Sequence, residues 1–580
     1  DIMRGKKRFL SLFLGIGVVA TGLLVLVNTG DWILASILFI VGRIGFSGSI
    51  VFYDALLPHV AREEDQDVVS TRGYAMGYLG GGLLLAINIA MIFALPENNW
   101  GSRLSFLSVA VWWVLFSIPL LRVVPEPPAA TTDLRPGQHI LTASFSRLRE
   151  TFRQMRRYRQ LFKFLIAFLI YNDGIGTIIG VAAIYGAELG FGSVELILAI
   201  LLVQFVGIPF SLVFGRLPSS REKRRPVYLA FILFNMLFLP IVGVLGARLL
   251  PAEDVGAAPP DLSATPTAVD EGIYTVGEDA LDLSGPWQLS AIPPEITGAD
   301  EAIPYASSSE PGAELRVTFN GLQATVTYSV GPQHGIWNVL LDGEPYLDEE
   351  GQAVGIDAYS QNARYEVDET FTAAEVGEHT LTIVNSGESS PESSGTSIAV
   401  SRVEVLPLYP QSNLPLVIGL LIGLELVGLA LAFALGPALM SSLAATFDTK
   451  RSIFLALMAY GIIAVWGFFL ASVIEFWFLA WMVAVVQGGS QALSRSLYAS
   501  LSPASKSGEF FGLFSIMEKF ASFLGPLFFA AAVALFDSSR PGVLSLVLFF
   551  FLGGLLLTRV DVGEGRAVAR AEDAAALSAD

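Results

Sequence analysis

Apolar runs of about twenty residues alternate along this chain with short polar loops. The first is Phe9–Val27, followed by Trp32–Leu57, Tyr74–Leu95, Leu104–Leu121, Leu161–Tyr185 and Val194–Phe214. After Val227–Leu249 the pattern breaks, and it resumes at Leu414–Leu435, Ile453–Val473, Phe476–Leu497, Phe510–Phe536 and Val543–Leu557. A helix of about 20 residues crosses a hydrocarbon core of ~30 Å. The pattern therefore predicts an all-α polytopic membrane protein with about 12 spans.

The break, Pro251 to Pro410, has a different period. Its first part, 251–312, is rich in Ala, Pro, Asp and Glu and reads as an acidic stalk with some extended structure. From Ala313 apolar residues alternate with polar ones. Leu315, Val317 and Phe319 begin the series, Ala324, Val326 and Tyr328 continue it, and Trp337, Val339 and Leu341 follow. Further strands are predicted at Arg364–Phe371, His379–Val384 and Ile398–Val405, with turns at Asp342-Gly343 and Ser386-Gly387. Short alternating strands in this number imply a β-sandwich over 313–410.

Charge separates the same two objects. Only 15% of the chain is charged while 53% is hydrophobic, which leaves no room for a large soluble core beside the spans. Between Pro251 and Pro410 stand 27 acidic residues against Arg316, Arg364 and Arg402, so the rest of the chain is mildly basic although the whole carries −18. There is no cysteine, which excludes disulfides, thiol catalysis and cysteine metal sites.

The basic residues set an orientation. Arg4, Lys6, Lys7 and Arg8 precede the first run, six arginines from Arg147 to Arg159 precede the fifth, Arg216 to Arg225 follow the sixth, and Lys450 and Arg451 follow the eighth. Counted span by span, these clusters fall on one side, and loops enriched in Lys and Arg are cytoplasmic. Both termini are therefore expected in the cytoplasm of a bacterial-type plasma membrane, with 251–410 outside. The segment 123–160 is a cytoplasmic linker. Within it Phe145, Leu148, Phe152 and Met155 form one face and arginines the other, as in a helix lying on the membrane surface or a solvated basic linker. After 561 the Ala- and charge-rich composition predicts a disordered tail.

Several motifs carry a family resemblance. Asp1-Ile2-Met3-Arg4-Gly5-Lys6-Lys7-Arg8 resembles the second half of the D-x-x-G-R/K-R/K loop of the major facilitator superfamily, which there joins helices 2 and 3. It also has the look of a signal anchor. Phe52-Tyr53-Asp54-Ala55-Leu56-Leu57-Pro58, Ser70-Thr71-Arg72-Gly73-Tyr74, Tyr171-Asn172-Asp173-Gly174 and Val203-Gln204-Phe205 follow. Gln487-Gly488-Gly489-Ser490-Gln491 and Glu509-Phe510-Phe511-Gly512 stand near the end. Together these resemble the vacuole-effluxer-like branch of that superfamily, named after the fungal autophagy-related amino-acid effluxer. The resemblance implies a two-bundle major facilitator fold working by alternating access, beginning here at helix 3, with an inserted extracytoplasmic all-β domain similar to galactose-binding-like jelly rolls.

On this reading 1–122 is the amino-terminal bundle (helices 3–6), and 161–218 with 441–560 forms the carboxyl-terminal bundle (helices 7–8 and 9–12). The spans within 219–250 and 411–440 read as an added pair carrying the outer domain, although a neighbouring pair could be the addition.

Polar residues inside spans are costly, about 2.5–3.5 kcal/mol for Arg, Lys or Asp at a helix centre, and so mark sites. Arg43 and Asp54 point the same way with Ser47 and Ile50 between them, and Gln487, Gln491 and Arg495 share a face. Asn172 and Asp173 lie beside Gly174 and Gly176, where a transport helix can unwind; Gln204 and Glu518 stand in later spans. They read either as a polar pathway between bundles or as clamps between helices. Asp173 is the first candidate for a proton-linked carboxylate.

Trp337, Tyr359 and Tyr365 are either sandwich core or a glycan platform. Metalloprotease, P-loop and hydrolase motifs are lacking, so no catalytic residue, cofactor, metal or nucleic-acid partner is expected. The expected function is secondary active transport of a small polar solute, with amino acids foremost, coupled to an ion gradient, the proton first. The alternative is a membrane-anchored sensor or docking protein for surface carbohydrate.

Overall fold

The structure, a computed structural model, describes residues 5–28, 31–95, 100–127, 157–189, 191, 193–256, 268–278, 280–297, 302–347, 351–406, 412–520, 523–536 and 538–578. Among the described residues, 12 helices or helix pairs are long and apolar enough to cross a membrane. The surface-helix expectation at Phe145, Leu148, Phe152 and Met155 lies outside the described residues.

Four long helices come first: α1 (Lys6–Leu23), α2 (Trp32–Asp54), α3 (Gln66–Ala94) and α4 (Trp100–Val123). After the linker follow α5 (Arg159–Glu188), α6 (Ser193–Arg216) and α7 (Arg225–Leu249). Beyond the β region come α8 (Leu414–Leu439), α9 (Thr449–Phe468), α10 (Val473–Leu501), α11 (Ser507–Phe520), α12 (Leu524–Phe536), α13 (Arg540–Thr558) and α14 (Val562–Ser578). Contacts divide the chain into the helical unit and a second unit of residues 251–413 with 189–192.

The helical unit is organised around α10, which is buried along almost its whole length and packs against α6, α3, α9 and α7. Its start is fixed locally. Ser472 accepts from the Glu475 amide, and the Glu475 carboxylate receives the Ser472 hydroxyl and the Ala471 amide at 3.1 Å, a reciprocal cap. Gly488 and Gly489 let α6 approach, since a Cβ at either position would collide with Ser211 or Phe214. α7 lies on α10, and α8 lies chiefly on α7, so the pair sits at the edge of the unit.

The tail expectation is corrected. Residues 562–578 form helix α14. Its composition is polar, but tertiary partners hold it. The Asp573 carboxylate accepts from the Ala504 and Ser505 amides at 3.0 and 2.9 Å. Lys506 pairs with Glu572 at 2.6 Å, and Arg566 and Arg570 reach Glu63 at 3.3 and 2.9 Å.

The second unit is an antiparallel sheet folded over one core. Its strands are β1 (Gly272–Thr275), β2 (Asp282–Ser284), β3 (Gln288–Ile292), β4 (Ile303–Ser308), β5 (Glu314–Val330), β6 (Ile336–Leu341), β7 (Glu344–Pro345), β8 (Gly355–Asp357), β9 (Arg364–Asn385) and β10 (Ile398–Val405). The main order is β3-β4-β10-β5-β9-β6-β7, with β1 on β10, β2 on β5 and β8 on β6. Alternation behaves as expected, with Leu315, Val317 and Phe319 buried and Arg316 exposed.

Two details differ from the sequence reading. The strands expected at 315–319 and 324–328 are one strand, as are those at 364–371 and 379–384, because β5 and β9 pair from Glu314↔Val384 to Val330↔Arg364 through register shifts. The region read as stalk supplies β1 to β4, so the sheet begins at Gly272. Those strands are three to six residues long and lean on β5 and β10, too short for a period of their own. Asp342 (φ 55°) and Gly343 (φ 82°) form the expected hairpin turn, in which both central residues need positive φ.

Candidate functional site

A cavity of about 420 Å³ lies between the first four helices and the rest of the helical unit. α2 contributes Tyr53 and Asp54, α3 Tyr74 and Tyr78, and α6 Gln204. α10 contributes Gln491 and Arg495, and α11 Glu518 and Lys519. Five residues singled out from the sequence thus meet at one place: Asp54, Gln204, Gln491, Arg495 and Glu518.

Arg495 is the centre of this constellation. Its NH1 donates to Asp54 Oδ1 at 2.9 Å, with the two side chains only 8% and 13% exposed. Its Nε donates to Ser70 Oγ at 3.0 Å and its NH2 to the Ser70 carbonyl at 3.2 Å. The guanidinium also lies over Tyr74, 4.9 Å from the ring centre, and within 5.8 Å of Tyr53. The fork of donors is thus spread over a carboxylate, a hydroxyl and a carbonyl, a desolvated arrangement that Lys could not reproduce. Glu518 is freer, with Lys519 Nζ at 3.7 Å and a side chain 32% exposed.

The other expected residues lie elsewhere. Asn172 stands behind the cavity and accepts from Gln491 Nε2 at 3.4 Å. Gln487 is half-buried on α10, outside the cavity lining. Arg43 is exposed on α2, three turns from Asp54 and away from the cavity, although Phe46 and Ile50 of the same helix line it. Trp337 is not a glycan platform: it is fully buried in the β core, edge-on to Tyr328 at 4.9 Å. Tyr359 and Tyr365 are half-buried, and Tyr365 leans on Tyr305 at 5.8 Å.

Asp173 takes an anchoring position. Its two carboxylate oxygens accept from the Leu524 and Gly525 amides at 3.0 and 2.9 Å, at the head of α12. A carboxylate there satisfies amides that have no partner within the helix and meets the positive end of its dipole. Asp173→Asn keeps one acceptor and turns an NH₂ toward an N–H. The expected cost is about 1–3 kcal/mol, read as a lower unfolding midpoint of the purified protein.

Sequence reasoning missed Ser70, Tyr74 and Tyr78, which stand at i, i+4 and i+8 on α3. That polar stripe was the signal that could have found them.

Beyond the cavity, bonds between the two helix groups gather at the end of the helices that carries Lys6, Arg221 and Lys450, the basic end. Lys6 Nζ donates to Ser507 Oγ at 2.8 Å, with His59 beside both. The Asp67 carboxylate accepts from Ser496 Oγ and from Thr449 Oγ1, and Arg221 pairs with Glu64 at 2.6 Å.

The family profile "Vacuole effluxer Atg22 like" matches residues 1–258 and 399–570. The chain belongs to this family. Among similar proteins, "Uncharacterized MFS-type transporter YxiO" of Bacillus subtilis is 36% identical over 235 residues, 40% of this chain and 54% of its own length. "Autophagy-related protein 22-1" of Aspergillus fumigatus is 30% identical over 195 residues, 31% of this chain and 30% of its own. "Autophagy-related protein 22" of Yarrowia lipolytica is 28% identical over 158 residues, 24% and 27% respectively. The aligned part of the chain therefore spans about half of the bacterial relative and less than a third of the fungal ones.

The fold of this family member is the two-bundle helical one of the major facilitator superfamily, with an all-β region inserted, and the protein is integral to a membrane. The matched ranges include α7 and α8; the internal stretch they leave out, 259–398, falls within the β unit.

Proposed function

We propose that this protein is a secondary transporter that moves small polar solutes by alternating access, driven by an ion gradient and without catalysis. The observation that carries the reading is the cavity between the two helix groups, with a desolvated Arg495–Asp54 pair at its wall. Such a pair has little use in an anchor, because burying two charges is expensive. Its lining combines cations, carboxylates, tyrosines and glutamines, which suits a zwitterion, and amino acids are the proposed class. The basic end would face the cytoplasm of a bacterial-type plasma membrane, with both termini, by the enrichment of Lys and Arg there. The β unit is proposed as an extracytoplasmic insertion carried on α7 and α8, which contribute nothing to the cavity lining among the described residues.

Glu518 is the proposed coupling carboxylate. It faces the cavity, whereas Asp54 is held by Arg495 and Asp173 by backbone amides. Uptake of a panel of radiolabelled amino acids, sugars and organic acids into proteoliposomes tests the reading. Accumulation of an amino acid under an inward proton gradient is expected. Glu518→Gln should abolish accumulation while leaving counterflow exchange within about twofold of the parent. No accumulation of any solute by reconstituted, folded protein under proton or sodium gradients would overturn the proposal. A chain with 257–411 replaced by a short Gly/Ser linker should still transport. Asp254 and Asn413 already bond to each other at 2.8 Å, so the ends to be joined are adjacent.

A further inference from the structure

Outside the central cavity, α9 and α13 leave a second one between them, an apolar groove of about 300 Å³. Phe454, Leu457 and Gly461 line it from α9, and Phe551, Leu555 and Thr558 from α13. On α9 these positions follow Lys450 at the spacing of one helical stripe, so the groove runs from the basic end toward the middle of the span. The space beside Gly461 is open, since a Cβ there would meet nothing within 4 Å.

The mouth of the groove is cationic. Lys450 Nζ donates to the Thr558 and Val560 carbonyls at 2.9 and 2.7 Å, and Lys163 Nζ to the Arg559 carbonyl at 3.2 Å. Arg451 and Arg559 are exposed beside them, Arg451 with NH1 on the Thr446 carbonyl at 2.6 Å. Two carboxylates are near, and both cap helix starts: Asp448 accepts from the Arg451 amide and Asp561 from the Glu564 amide. Four cations against two committed carboxylates leave the mouth positive.

We propose that this groove is a binding site for one anionic phospholipid, with an acyl chain along α9 and α13 and the phosphate at Arg451 and Arg559. The dimensions and the charge choose this occupant. A groove of this volume takes part of an acyl chain, while a helix from a second copy, about 10 Å across, does not fit. Basic pockets between membrane helices attract anionic headgroups, at about 1 kcal/mol per Lys or Arg near the surface. The site is independent of the solute cavity.

Native mass spectrometry of the full chain, exchanged from detergent with equal phosphatidylglycerol and phosphatidylcholine, tests it. The parent should retain phosphatidylglycerol over phosphatidylcholine by roughly tenfold or more, and phosphatidylglycerol should raise its unfolding midpoint. Arg451→Gln with Arg559→Gln should bring the retention ratio near one without lowering the lipid-free midpoint. Gly461→Phe should reduce retention of both lipids by filling the groove. Equal retention by the parent, or an unchanged ratio in the double variant, would sink the proposal. So would inorganic phosphate stabilising the protein as much as the lipid does, which would indicate a free-anion site, or a parent dimer that Gly461→Phe converts to monomer.

Discussion

Arg495→Gln is expected to abolish uptake and to destabilise the protein by about 3–5 kcal/mol, the range for stranding one partner of a buried ion pair. The geometry gives the reason. Arg495 meets Asp54 at 2.9 Å and Ser70 at 3.0 Å, and both residues belong to the first helix group while Arg495 belongs to the second. Glutamine reaches neither the carboxylate nor the Ser70 carbonyl with charge, and Asp54 is left desolvated without its counter-ion. Thermal unfolding in detergent and uptake in proteoliposomes separate two contributions. Asp54→Asn combined with Arg495→Gln removes both charges and should recover most of the lost stability. If the pair also serves the transport cycle, uptake stays lost in the refolded double variant. Recovery of uptake along with stability would reduce the pair to a clamp.

Removing residues 562–580 is expected to open the basic end. α14 ties Glu63, in the connection between α2 and α3, to the start of α11 through Arg566, Arg570, Glu572 and Asp573. It also roofs a polar cavity of about 760 Å³ that Val68, Asp67 and Thr449 line from below. Arg570 is 70% exposed, so its contribution is that of a surface pair, a few tenths of a kcal/mol. The three bonds to Asp573, from the Ala504 and Ser505 amides and the Ser505 hydroxyl, are less exposed and count for more. Together a loss of about 2 kcal/mol is reasonable, a shift of roughly thirtyfold in the ratio of closed to open states. The chain has no cysteine, so Val68→Cys provides a single labelling site. Its reaction with a membrane-impermeant maleimide in detergent should speed up by at least tenfold in the truncated chain. An unchanged rate, with the truncated protein folded, would show that α14 is not a latch.

The sequence by itself determined the membrane spans, the β insertion and five of the polar residues that line the cavity. Each of these rests on local repetition: about twenty apolar residues for a span, period two for a strand, and a charged residue in a helix where only function or a partner repays its cost. Asp54 and Arg495 were therefore legible one at a time. Their pairing was not, because the two are 441 positions apart and only the packing of α10 against α3, and of α11 against α2, brings them together. The same limit explains Asp173, a carboxylate in a Gly-rich span that suggested proton chemistry until the head of α12 proved to sit on it. Trp337 could be platform or core by pattern, and the fold of the sheet decided for core. The tail from Val562 was polar enough to read as disorder, and it is helical because Glu63, Lys506 and the amides of Ala504 and Ser505 give its charges partners. Periodicity fixes which residues are apolar and where they repeat; which distant groups satisfy a buried charge or an unpaired amide is decided only when helices meet.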